Sequence, residues 1–208
     1  MEPLINPQTV IETSLDIIDR DGLDALSMRS LASALGVGAA SLYHHFTDKD
    51  DIVDRVAKFV LDQNAAETVD RSGTWQDQFV TMSEGSFNTL VKHPNLLSVL
   101  ARRSDRRFAV VQHNHAAKLA LSNGVPPELV MPLLDALEGL LLGLALFESV
   151  PSVVPYDADG ERFVYLTQAV DADAIEGRDR LRLAVRALLA GWISEVVPPA
   201  NKKKPGRK

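Results

Sequence analysis

From Pro7 to Arg20 the apolar residues Val10, Ile11, Leu15, Ile17 and Ile18 recur at three- and four-residue steps, which predicts an amphipathic helix ended by Asp21-Gly22. A short connector carries Leu23 and Leu26. Ser27 then stands at an N-cap, and Leu31, Ala32 and Leu35 supply the buried stripe of a second, short helix that stops at Gly36-Val37-Gly38. A third helix of about two turns is expected from Ala39 to Phe46, with Leu42 and Phe46 four apart on its inner face. Thr47 is the expected cap of a fourth, whose apolar face is Ile52, Val56, Phe59 and Val60. Past a joint at Arg71-Ser72-Gly73, helical spacing resumes at Trp75–Val91, pauses at His93-Pro94, and runs on through Ala101 and again to about Asn123. Gly124-Val125-Pro126-Pro127 breaks it. The most apolar helix follows, Glu128–Phe147, then a loop over Pro151–Gly160, an ambiguous stretch over Phe163–Ala172 and a terminal helix over Arg178–Val197. No alternating strand pattern of useful length appears, so the expected class is all-α.

Composition narrows the chemistry. The 208 residues are 46% apolar and 24% charged, which suits a packed helical protein. There is no cysteine, which excludes disulfides, thiolate metal sites and cysteine nucleophiles and fits a cytoplasmic setting. Neither a secretory signal nor a membrane span is expected, because Glu128–Phe147 would bury Asp135 and Glu138. The charge of −6 is unevenly spread: residues 1–64 hold five basic and eleven acidic groups, and residues 202–208 hold five basic and none acidic. An acidic module that touches DNA must rely on a few placed groups rather than a broad basic field.

Two short helices joined by a glycine-containing turn, packed on a preceding helix and followed by a capped fourth, form the pattern of a helix-turn-helix over residues 1–64. Its second helix has to be anchored on one side and left open on the other to enter a groove about 12 Å wide. Leu42 and Phe46 are the anchors, and Ala39, Ala40, Ser41, Tyr43, His44 and His45 are left for the groove and its walls.

The run from Ser27 through Lys49, with Gly36-Val37-Gly38, Leu42-Tyr43 and the step from Phe46 to Lys49 in register, resembles the signature of the TetR family of bacterial regulators over residues 7 to 60. The resemblance implies that Tyr43 contacts the DNA backbone or a base, that Lys49 binds phosphate, and that Ser27 and Arg29 at the start of the second helix touch DNA. It departs at Ala39 and Ala40, where relatives often carry larger polar readers.

The resemblance also implies that residues 65–198 enclose a small effector and build a homodimer. Ala136, Gly139 and Gly143 make a smooth stripe on one helix. Leu181, Val185, Leu188, Leu189 and Trp192 make a matching apolar surface on the last. Phe79, Met82, Phe87, Leu100, Phe108, His113, Leu137 and Phe147 are candidates to line an apolar cavity. Residues 199–208 form a flexible basic tail, and Arg102, Arg103, Arg106 and Arg107 a charged cluster.

The reading is therefore a non-enzymatic regulator, a repressor of operator DNA released by a small molecule, with no cofactor and no bound metal. Two alternatives stand beside it. One is a helical small-molecule sensor without DNA binding. The other is a helical-bundle metalloenzyme using His93, His113 and His115, which lacks the inward Glu-x-x-His spacing such sites use.

Overall fold

Asn6 accepts a hydrogen bond from the Gln8 amide at 2.9 Å and Pro7 follows at the first helical position, an arrangement that starts α1, Pro7–Asp21. The computed structural model describes residues 6–67, 73–102, 110–149 and 163–195. A single 3-10 turn, Leu23–Ala25, leads to α2, Met28–Leu35. Ser27 caps α2 reciprocally with Ser30, satisfying two backbone donors at once. Gly36 ends it at φ 66, where the Val37 amide reaches back to the Ala32 carbonyl at 3.0 Å. α3, Ala39–Tyr43, is shorter than the periodicity predicts. His44 and His45 lie in the turn beyond it, and Phe46 is buried from that turn rather than from the helix.

α4, Lys49–Glu67, is capped by Asp48 and not by Thr47: the Asp48 carboxylate accepts from the Asp51 amide at 2.9 Å. Thr47 instead donates its backbone N–H to Asp51 at 3.0 Å. An aspartate holds the position because a charged acceptor answers the helix dipole better than a hydroxyl.

The body contains α5, Trp75–Lys92, a 3-10 turn at Pro94–Leu96, α6, Leu97–Arg102, α7, Val110–Ser122, α8, Pro127–Ser149, α9, Val164–Asp171, and α10, Gly177–Glu195. The ambiguous stretch after Phe163 is thus helical. No strand occurs among the described residues. The arginine cluster's side chains, Phe108, the 151–160 loop and the basic tail lie outside them.

Two apolar clusters organise the molecule. One joins α1 to α4 around Val10, Ile18, Leu31, Leu42, Phe46 and Val56. The other joins α5, α7, α8 and α10 around Phe79, Leu133, Leu137, Leu181 and Leu189. α4 belongs to both, since Val56 faces the first and Ala57 the second. Leu96 and Val99 carry the first cluster across to the body. Polar links reinforce that seam: His93 Nδ1 lies 2.7 Å from Asp19, and the Asn95 amide donates to the Ile18 carbonyl at 2.9 Å.

By length and composition α8 is apolar enough to cross a membrane, with a mean hydropathy of 1.9 over its most apolar window. In the fold it packs against α5, α7 and α10 and buries Val130, Leu133, Leu134, Leu137 and Ala145. Its interior Pro132 sits on the exposed side near the helix start, where solvent can meet the carbonyl that loses its N–H partner.

Candidate functional site

Leu42 is fully buried and Phe46 nearly so, and together they seat α3 on the module core. One side of the helix is then left outward. Ala40, Tyr43, His44 and His45 are exposed, Tyr43 at 57% despite being a large aromatic. Burying Tyr43 would remove apolar ring area from water, so its outward placement is a cost that packing alone does not explain. Ser41 is half-buried. Ala39 is also half-buried and packs on the module core, so the expectation that it faces the groove does not hold: it follows the N-cap directly and turns toward the same side as Leu42.

The turn after α3 is held by Arg55, which the sequence reading passed over. Its guanidinium lies 4.7 Å from the centre of the Phe46 ring, donates to the His45 carbonyl at 3.3 Å, and pairs with Asp51 at 2.8 Å. The Arg55 hydrogen bond holds the Asp51 carboxyl below its ordinary range, with the Thr47 amide adding to the effect. The signal was available as an i, i+4 acidic-basic pair.

The other predicted contacts divide by what already occupies them. Arg29 is exposed near the start of α2. Ser27 is exposed too, but its hydroxyl is committed to the capping box with Ser30. Lys49 is half-buried, and its ammonium donates to the Leu23 carbonyl at 2.8 Å, tying the start of α4 to the connector between α1 and α2. An ammonium has three donors, so one structural bond leaves capacity for an oxygen outside the protein.

In the body, a cavity of about 120 Å³ lies between α4, α5, α6, α7 and α8. Phe79, Met82, Leu100, His113 and Leu137 line it as expected. Phe87 does not: it is buried in the core beside the cavity. Phe147 does not either, being 77% exposed near the end of α8. Sequence reasoning missed Gln112, Glu138, Ser83 and Ser86, which give this apolar space its polar groups. Leu134, Leu137, Glu138 and Leu141 share one helical face, so Glu138 was findable from spacing. His113 Nε2 stands 3.4 Å from the Glu138 carboxylate. No group of three or more metal-ligating side chains occurs among the described residues.

The predicted pairing surface is partly corrected. Leu181, Val185 and Leu189 are buried within the chain, where α10 meets α5 and α8, and so are core. Leu188 and Trp192 are half-buried against the same cluster. Gly139 is exposed and Gly143 half-buried, and a Cβ built on either would meet nothing within 4 Å. Ala136, half-buried, lies between this face and the core.

Comparison with known proteins agrees with this layout. The family model for bacterial regulatory proteins of the tetR family matches residues 10–56. An HTH-type transcriptional regulator of Saccharopolyspora erythraea is 31% identical over 93 residues, covering 45% of this chain and 39% of that protein. The tetracycline repressor protein class A from transposon 1721 of Escherichia coli is 35% identical over 83 residues, covering 40% and 38%. The matched segment therefore spans about two fifths of the length of these curated relatives. Among solved structures, apo ActR from Streptomyces coelicolor superposes with a TM-score of 0.76 at 25% identity, covering 93% of this chain and 97% of that one. The complex of ActR with (S)-DNPA gives a TM-score of 0.73, also at 25% identity, covering 92% and 98%. The N-terminal module thus matches the tetR family model over residues 10–56, and the helical fold is shared with ActR over nearly the whole chain.

Proposed function

We propose that the chain is a DNA-binding transcriptional regulator that acts as a homodimer on a palindromic operator, represses from it, and is released when a small molecule enters the body cavity. The observation that carries this reading is the outward flank of α3, where Tyr43, Ala40 and His44 stand clear of a helix that Leu42 and Phe46 hold from behind. Small residues and an aromatic on a braced helix suit close approach to base edges and phosphates. Arg29 and Lys49 are the cations placed to meet phosphate beside it. Two copies are needed because one short helix reads few bases, and half-sites lie about 34 Å apart. The stripe at Gly139 and Gly143 is where a second α8 can approach.

The relatives support the regulatory reading, and the ActR complex with (S)-DNPA supports a body that takes up a small molecule. The mechanism needs no cofactor, metal or catalysis, and places the protein with the DNA in the cytoplasm. Effector binding works by differential affinity: a ligand that fits one spacing of the two recognition helices better than another shifts the population toward it.

The test is a gel shift with duplexes flanking the chain's own gene. Saturable binding that Tyr43→Ala and Lys49→Ala each weaken at least tenfold supports the assignment. Undiminished binding in both variants refutes the placement of the site, and binding to none of the duplexes favours a sensor without DNA binding.

A further inference from the structure

Gln112 occupies an unusual position at the edge of the cavity. Its side-chain N–H₂ donates to the Leu61 carbonyl at 2.8 Å and lies 3.4 Å from the Asp62 carboxylate. Both partners are acceptors, so the amide has one orientation: nitrogen toward α4, oxygen away from it. That oxygen is buried and has no hydrogen-bond partner among the described residues. A buried carbonyl without a donor is uncommon in folded proteins, and it asks what donor it was placed to meet. Gln112 lines the cavity, as does Leu61, whose carbonyl it holds.

Two further facts define the molecule that would supply the donor. The rest of the lining is mostly aliphatic and aromatic, including Phe79, Met82 and Leu137. The volume of about 120 Å³ is close to the ~150 Å³ that takes up one benzene ring. The charged or titratable side chains lining it are His113 and Glu138, whose Nε2 and carboxylate stand 3.4 Å apart.

We infer that Gln112 is the effector-reading residue of this cavity: its oxygen accepts from the O–H or N–H of a ring-bearing, otherwise apolar molecule, and its nitrogen carries that contact to α4. This rests on the effector-binding reading of the body. The link to α4 gives the contact a consequence. One end of that helix is held by Gln112, and the other holds the module through Lys49 on Leu23 and Arg55 on the His45 carbonyl. A ligand that pulls on the amide therefore loads the helix that positions α3.

The experiment uses the full chain and three probes of nearly one shape: phenol, anisole, which keeps the oxygen but has no O–H, and toluene, which has neither. Titration calorimetry is expected to show phenol binding about tenfold tighter than anisole and toluene, the factor one buried hydrogen bond supplies. Hydrogen exchange at the backbone of α4 is expected to change several-fold with phenol and little with toluene. In Gln112→Met the phenol preference disappears, and phenol no longer alters exchange in α4. Toluene or anisole binding as well as phenol to the unaltered chain overturns the inference without any variant, as does no phenol binding at millimolar concentration. Calorimetry and exchange need no DNA, so either failure leaves the operator-binding result to stand or fall alone.

Discussion

Leu42→Ala tests the mechanical basis of the site. Leu42 is fully buried and is the only residue within α3 that is. Truncation removes three carbons, a loss of about 2.4 kcal/mol at ~0.8 kcal/mol per methylene. The hole left behind brings large-to-small changes of this kind to about 3–5 kcal/mol. Whole domains are worth only about 5–15 kcal/mol, so the module should lose much of its stability. The chain supplies its own reporters for locating that loss. Trp75 and Trp192, its two tryptophans, both pack on the body cluster, whereas Leu42 belongs to the module cluster. In urea, the far-UV circular dichroism midpoint should fall well below that of the parent, while the tryptophan fluorescence midpoint moves less. Operator affinity should fall with the first signal. Equal shifts in both probes would show that the two clusters unfold as one unit, and a dichroism shift worth less than about 1 kcal/mol would show that Leu42 does not anchor the helix.

Lys49→Met removes the bond to the Leu23 carbonyl but keeps the stem, so the module should lose about 1–2 kcal/mol in denaturant and bind operator with a shallower salt dependence. Asp77 is held down to about 2 from its ordinary 3.8, first by the Thr74 hydroxyl, then by the Thr74 amide and Arg186. A depressed carboxyl adds stability above its unfolded value that is lost as the pH falls through the folded one, so Asp77→Asn should flatten the acid limb of a melting-temperature profile between about pH 4 and pH 2. Gly36→Ala strains a left-handed position at φ 66 with open space around it, and should cost about 1–2 kcal/mol by urea titration, while Gly36→Asn costs less. A Cβ at Gly139 meets nothing within 4 Å and the position is exposed, so for Gly139→Leu sedimentation should show a folded protein with weakened self-association. Unchanged assembly would move the pairing surface away from α8.

Local rules account for most of what could be read in advance. Helix spacing, the Ser27 cap, the stops at Gly22 and Gly36 and the breaks at His93-Pro94 and Gly124 depend on residues within a turn or two of one another. The chain order therefore already contained the helical class, the module and the pair that anchors α3. Long-range packing decided the rest. An apolar stripe on α10 looks the same whether it meets α5 and α8 or a second subunit, and only the fold shows that Leu181, Val185 and Leu189 are spent internally. Phe87, Phe147 and Met82 are all large and apolar in sequence, yet one is core, one is surface and one lines a cavity, because burial depends on which helix arrives opposite. The double engagement of Gln112 spans 51 residues to Leu61. No sequence period encodes a contact of that range. It exists because α7 crosses α4, and that crossing is set by the filling of a shared core rather than by either helix alone.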